Sequence, residues 1–352
     1  MQKYSKTKII KTACVYAGLI FGAGFASGRE HLTFFLRYGP LGILGLILSA
    51  ALIALCGWAV MGICVKENIG SYKEFMKLVF GKKFGSILDI ISGIFIFVIF
   101  SAMFAGTGAL GVQALGLPFT AGVLAAAILV FIVLLFDLRG MVEINTIITP
   151  ILVAGTLAVG LYSIFSTARP TSAFGDVINS WPTSALVYAS YNMLPAAAVL
   201  SSMPALVTNN SIAKWGGLLG GIFLGIIGIV MSLALYANLA FVRQLELPML
   251  ALASELGNMM EYLYMLLLFL AIFTTAVTNG FSLTAWLSSR VNLSPLLLKI
   301  FITFAAIAAA HAGFSNIVGR AYAFFGFLGL YVMFATLIYF MRNYKSINKH
   351  YS

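Results

Sequence analysis

Gly22-Ala23-Gly24-Phe25-Ala26-Ser27-Gly28-Arg29-Glu30 interrupts the first apolar run of the chain. An apolar run long enough to cross a bilayer, roughly 20 residues, would ordinarily form one continuous helix. Three glycines within seven residues act against that. Each weakens a helix by roughly 1 kcal/mol relative to alanine and leaves the backbone free to turn. At 1.5 Å per residue, Gly22 lies about 16 Å beyond Lys11, close to the bilayer middle. Unwound backbone at that depth is tolerable only where it lines a cavity or holds something. Its freed carbonyls can ligate a cation, and the N–H groups opening the next half-helix can hold a carboxylate. The plainer reading is close helix packing through small residues. The adjacent Ser27, Arg29 and Glu30 favour a binding break instead.

The rest of the chain supplies the setting. Its 352 residues are 61% hydrophobic and 9% charged, against about 45–50% and about 25% in soluble domains. That excess needs lipid as solvent. The net charge of +11 does not mark a nucleic-acid binder, because the basic residues are scattered through the gaps between apolar runs. Cys14, Cys56 and Cys64 lie inside apolar runs, with no metal-motif spacing. The basic start, MQKYSKTKIIK, leads into a run too long for a signal peptide and is read as an uncleaved first helix.

About ten spans follow: 9–36, 40–65, 84–115, 118–136, 143–166, 183–204, 213–242, 259–288, 294–311 and 318–341. Spans 1 and 6 are expected to be discontinuous. The less apolar RQLELPMLALASELGNMME between spans 7 and 8 predicts a short surface helix. With the N-terminus inside, only Arg29, Arg37, Arg169, Arg243 and Arg320 of the 21 basic residues fall outside. That bias places both termini in the cytoplasm and requires an even number of spans. The single domain, 1–352, then divides into two five-span halves, 9–166 and 183–341, of opposite orientation. Tyr16-Ala17-Gly18 pairs with Tyr188-Ala189-Ser190, and the Phe100 to Phe104 stretch pairs with Phe269 to Phe273. The two offsets are nearly equal. Inverted repeats with corresponding broken helices point to a transporter site.

Two further stretches carry polarity to mid-membrane. In span 6, Tyr188-Ala189-Ser190-Tyr191-Asn192-Met193-Leu194-Pro195 ends on a proline that lacks an N–H and clashes with the preceding turn. The alternative there is a simple kink. In span 8, Thr274 and Thr278 lie one turn apart with Thr275 beside them, a hard-oxygen set suited to Na⁺. Hydroxyls bonded back to the preceding turn are the alternative. Glu30 is the one acidic residue well inside a span, and such a group is a functional candidate by default. With Arg29 it could form a gate, carry a proton or ligate a cation. Zinc-protease, nucleophile-elbow and P-loop signatures are missing, so no enzyme is expected.

The opening glycine stretch and Tyr191-Asn192-Met193-Leu194-Pro195 resemble the YkvI-like membrane proteins over nearly the whole chain. That family looks like a distant branch of the amino acid–polyamine–cation superfamily, which implies an all-α, five-plus-five inverted-repeat LeuT-type fold with helices 1 and 6 discontinuous. The resemblance implies a sodium site from the carbonyls of Gly18 and Phe21 together with Ala271, Thr274 and Thr275. A second sodium site is not implied, since Phe25 stands where the members that have one carry asparagine. It also implies a solute site with Gly22, Ala23, Gly24, Ala26 and Ser27 on one side. Tyr188, Ser190, Tyr191 and Asn192 form the other, and Thr107 and Thr278 extend the set. An uncharged floor of this kind suits an amino acid or similar zwitterion.

The expectation is thus a multi-pass cell-membrane protein performing cation-coupled symport, with Na⁺ and H⁺ both open. Its partners would be a small solute and lipid, with no other cofactor and no nucleic acid. The rival is a channel or a solute-binding membrane sensor. Polarity concentrated at the midplane, rather than along a pore, favours the symporter.

Overall fold

The computed structural model describes residues 2–136, 141–167 and 180–348. Arg139, Arg169, Lys349, Asp137, Asp176 and His350, which entered the reading of charge, lie outside these residues. Among the described residues all regular structure is helical.

The first apolar run splits into α1 (Gln2–Ile20), α2 (Ala23–Ala26) and α3 (Arg29–Phe34). Next come α4 (Leu41–Glu67), α5 (Tyr72–Leu115), α6 (Phe119–Leu135) and α7 (Met141–Ser166). The second part holds α8 (Trp181–Leu200), α9 (Asn210–Ala237), α10 (Leu239–Val242), α11 (Pro248–Ser254) and α12 (Asn258–Ser288). It ends with α13 (Pro295–Ala310), α14 (Phe314–Asn316) and α15 (Tyr322–Asn348).

Six of these stretches are long and apolar enough to cross a bilayer: Leu41–Glu67, Tyr72–Leu115, Thr149–Ser166, Asn210–Ala237, Asn258–Ser288 and Phe314–Tyr344. Two shorter apolar helices, Phe119–Leu135 and Pro295–Ala310, accompany them. The outer surface matches lipid as solvent. Phe165 is 83% exposed and Phe304 70% exposed, a burden in water but not among acyl chains.

Local chemistry sets the helix ends. Asn209 caps α9 by accepting from the Ile212 N–H at 2.9 Å. Asn68 closes α4 in the left-handed region. α5 changes direction at Gly81, so an interfacial piece precedes the long span. α9 packs closely on α4 and α1 along a row of small residues. A side chain at Gly217 would run into the backbone of Trp58.

Two expectations are corrected. Span 6 is not discontinuous at 188–195: α8 runs unbroken from Trp181 to Leu200 with Pro195 inside it. A single proline removes one N–H but holds φ near the helical value, and the rest of the ladder survives. α8 is also clamped by neighbours, since a side chain at Gly326 of α15 would meet the Val187 carbonyl. The chain leaves the helix only after Leu200, in the turns of 201–209. The stretch expected as a surface helix is instead the buried α11, with Met249, Leu252 and Ala253 fully enclosed.

Candidate functional site

The break in the first span falls at Phe21 and Gly22. Gly22 is extended, at φ −88° and ψ −174°, so the helical ladder stops there. The Gly22 N–H turns to the Ile20 carbonyl at 2.7 Å instead of continuing the helix. Among the described residues, the carbonyls of Gly18, Leu19 and Phe21 then accept no hydrogen bond, and the N–H groups of Ala23, Gly24 and Phe25 donate none. Main-chain groups without partners at membrane depth are rare and call for an explanation. The chain bends again at Gly28, φ 81°, a left-handed position that favours glycine. A side chain there would also press on Met249 and Leu235.

That second bend turns α3 so that Glu30 reaches back to the break. Its carboxylate lies against Gly24, where a methyl group would collide with it. Tyr188 donates its hydroxyl to Glu30 Oε2 at 3.2 Å. Glu30 is 5% exposed, and no cation lies within ion-pair distance of it among the described residues. Tyr191 packs edge-on to Tyr188, at a ring separation of 5.3 Å. The Tyr191 hydroxyl is buried without a hydrogen-bond partner. Phe34 packs on Tyr188 and Tyr191, at ring separations of 5.5 and 5.3 Å. Tyr322 lies 5.2 Å from Tyr191, and Phe95 5.5 Å from Tyr322. The result is one carboxylate in a collar of aromatic rings beside a stretch of open backbone.

The expected site residues divide accordingly. Gly22, Ala23, Gly24, Glu30, Tyr188 and Tyr191 come together. Ala26 and Ser27 are committed to holding the bend: the Ala26 carbonyl accepts from the Tyr264 hydroxyl at 2.7 Å, and the Ser27 carbonyl from the Met249 N–H at 2.9 Å. Ser27 Oγ donates to the Gly24 carbonyl at 2.8 Å. Ser190 points away, donating to the Gly326 carbonyl at 2.6 Å. Asn192 bonds back to the Tyr188 carbonyl at 3.0 Å, as Thr107 does to Met103 at 3.1 Å.

For the sodium set, Thr274 donates back to the carbonyls of Leu270 and Ala271 at 2.9 and 3.2 Å. Thr278 donates to the Thr274 carbonyl at 2.9 Å, and the Thr275 carbonyl accepts from Asn279 at 2.8 Å. Gly18 faces Thr149 of α7. α12 does pack on α2. Arg29 and Glu30 do not pair with each other. Arg29 Nη1 reaches the carbonyls of Arg243 and Leu245 at 3.3 and 3.1 Å.

Sequence reading missed Phe34, Phe95, Tyr322 and Tyr264. All are aromatic residues in ordinary apolar surroundings, and only Tyr264 and Tyr322 carry a polar atom that could have flagged them. It also missed how the far side closes. Met249 binds Ser27, and Gln113 grips Leu247 through both its N–H and its carbonyl, at 3.1 and 2.9 Å. Glu246 accepts from the Ser315 N–H at 2.7 Å and from its hydroxyl at 2.5 Å. The 243–254 segment is thereby stitched across the end of the bundle opposite the N-terminus.

This architecture is shared with a solved membrane transporter. The chain aligns with a structure of the manganese transporter of Eremococcus coleocola, bound to an aromatic bis-isothiourea substituted compound, at a TM-score of 0.63. The match covers 96% of this chain and 80% of that one at 16% identity. A mutant of the same transporter aligns at a TM-score of 0.61 over 94% and 79% of the two chains, again at 16% identity. In sequence, the chain is 28% identical over 328 residues to the uncharacterized membrane protein YkvI of Bacillus subtilis (strain 168), covering 93% and 94% of the two chains. It is 27% identical over 332 residues to the uncharacterized protein YyaD of the same organism, covering 94% and 96%. No family model matches the chain. The resemblance to YkvI-like membrane proteins therefore holds over more than nine-tenths of the chain, which is a multi-helix membrane protein.

Proposed function

We propose that this chain is a secondary active transporter of an amino acid or similar small zwitterion, driven by proton symport through Glu30. The observation that carries the proposal is the placement of Glu30 against the break of the first span, under Tyr188. A buried carboxylate without a cation partner is costly as a charge and cheap as an acid. It therefore changes its preferred state when a charged solute or an opening to water arrives beside it. The unpaired carbonyls of Gly18, Leu19 and Phe21 suit the solute's ammonium, and the N–H groups of Ala23, Gly24 and Phe25 suit its carboxylate. The ten-span, two-half organisation supplies the motion, with one half rocking against the other around this site.

Manganese, the cargo named for the structural relative, is not carried over. Among the described residues no three His, Cys, Asp or Glu side chains gather as a metal site, and hard divalent cations want several carboxylates or waters. Sodium remains the alternative coupling ion, through the Gly18 and Phe21 carbonyls with Ala271, Thr274 and Thr275.

The test is solute counterflow and gradient-driven uptake in proteoliposomes, across a panel of amino acids. The expected result is uptake driven by an inward proton gradient, with no sodium requirement. Glu30→Gln should lose at least about 100-fold of the gradient-driven rate while keeping counterflow. Uptake that follows sodium and ignores Glu30→Gln would transfer the coupling to the helix-12 threonines. No counterflow with any panel member would sink the amino-acid reading.

A further inference from the structure

Three arginines line one pocket of about 180 Å³ at the end of the bundle opposite the N-terminus: Arg29 and Arg37 from the α3 region, and Arg243 just after α10. Thr33 adds a hydroxyl, and Leu32, Leu36 and Leu239 form its apolar wall. Three side chains of one sign thus gather in a chain that is only 9% charged. Among the described residues, neither Arg29 nor Arg37 has a carboxylate within ion-pair distance. Glu246, on the adjoining segment, accepts from Ser315 and lies outside ion-pair distance of Arg29.

Two of the guanidiniums are also held in place. Arg29 is anchored through Nη1 to two main-chain carbonyls, and its buried Nε has no partner. Arg37 lies over the Tyr38 ring at 4.7 Å and donates to the Tyr38 hydroxyl. A planar fork fixed in this way matches an oxyanion with two acceptor oxygens.

We propose that the Arg29, Arg37 and Arg243 pocket is a second binding site, for a carboxylate or phosphate group carried on a short apolar body. The oxyanion sits among the guanidiniums and Thr33, and the apolar part lies on Leu32, Leu36 and Leu239. The site is separate from the Glu30 collar and does not depend on what that collar carries. It holds the 243–254 segment shut, because Arg29 grips that segment's carbonyls from the same pocket. The oxyanion can come from a free solute or from an anionic phospholipid headgroup at the membrane boundary.

The full chain in neutral detergent is titrated calorimetrically with sodium butyrate, butyramide and inorganic phosphate. In parallel, thermal stability is compared in phosphatidylcholine nanodiscs with and without phosphatidylglycerol. The expected result is saturable binding of butyrate or phosphate but not butyramide, weakened as salt rises. Arg37→Gln and Arg243→Gln should each weaken it by at least about tenfold, about 1.4 kcal/mol. Both variants should melt like the parent without ligand, which separates lost binding from lost folding. Stabilisation by phosphatidylglycerol alone, lost in the same variants, assigns the site to a headgroup. Saturable binding by neither source, or binding unchanged in both variants, overturns the proposal.

Discussion

The first span and α8 carry the two polar interruptions of the sequence, yet only one of them breaks. In the first span the helix stops at Phe21 and main-chain groups are left open. In α8 the helix passes through Pro195 without leaving it, and Ser190 and Asn192 spend their polar atoms on neighbouring carbonyls. Glycines lower the cost of every non-helical conformation around them, whereas a proline removes one hydrogen bond and fixes a φ the helix already wants. A cluster of the first kind opens a helix. A single residue of the second kind leaves it bent and closed, provided neighbours hold it. The two regions are therefore unequal: the first span offers backbone, and α8 offers Tyr188 and Tyr191 as side chains.

The sharpest test of that inequality is Gly24→Ala. On an ordinary helix this change would stabilise by up to about 1 kcal/mol. Here the added methyl occupies the place of the Glu30 carboxylate. We expect a loss of about 1–3 kcal/mol, the usual cost of overpacking, and uptake reduced by at least about 30-fold. Thermal melts and proteoliposome uptake read the two effects. A variant as stable and active as the parent would mean that Glu30 does not rest against the break.

Tyr188→Phe comes next. It deletes only the hydroxyl that donates to Glu30 at 3.2 Å, on the helix that did not break. Losing one partner of a buried carboxylate costs about 1–3 kcal/mol. Uptake should fall about tenfold, with the dependence on external pH displaced relative to the parent. An unchanged pH profile would leave Tyr188 as packing and nothing more.

How much of this was readable in advance follows from the range of the interactions. The membrane class, the positions of the apolar spans and the break at Gly22 are local properties, written in composition and in three closely spaced glycines. Glu30 was visible as a lone acid inside a span. Its direction was not, because that depends on the left-handed turn at Gly28 and on Met249, more than two hundred residues later, donating its N–H to the Ser27 carbonyl. The error at α8 has the same origin. Pro195 is a local signal, but whether it opens the helix is decided by α15, whose glycines let it close on Val187 and Ser190. The aromatic collar was invisible for a different reason: Phe34, Phe95 and Tyr322 carry no pattern that separates a site wall from ordinary apolar packing. The threonines of α12 were legible as residues and ambiguous in role, and they are found bonded back into their own helix.

The smallest effect is expected from Pro195→Ala, and it bears most directly on the inequality. If α8 worked by unwinding, restoring an N–H at this position would close the site and abolish uptake. In the closed helix described here, the change gives the Tyr191 carbonyl a donor and leaves the hydroxyls of Tyr188 and Tyr191 where they are. Alanine is favoured over proline by about 3 kcal/mol in an unstrained helix interior. Most of that is already absorbed at a site whose neighbours have adapted, so a gain of about 1 kcal/mol or less in stability is expected. Uptake should change by less than about threefold. Ser190→Ala, which removes a hydroxyl committed to Val187 and Gly326, should cost about 1 kcal/mol of stability and leave the affinity for solute unchanged. Loss of uptake in Pro195→Ala with an intact melt would show that α8 opens during the cycle and would restore the symmetry between the two interruptions.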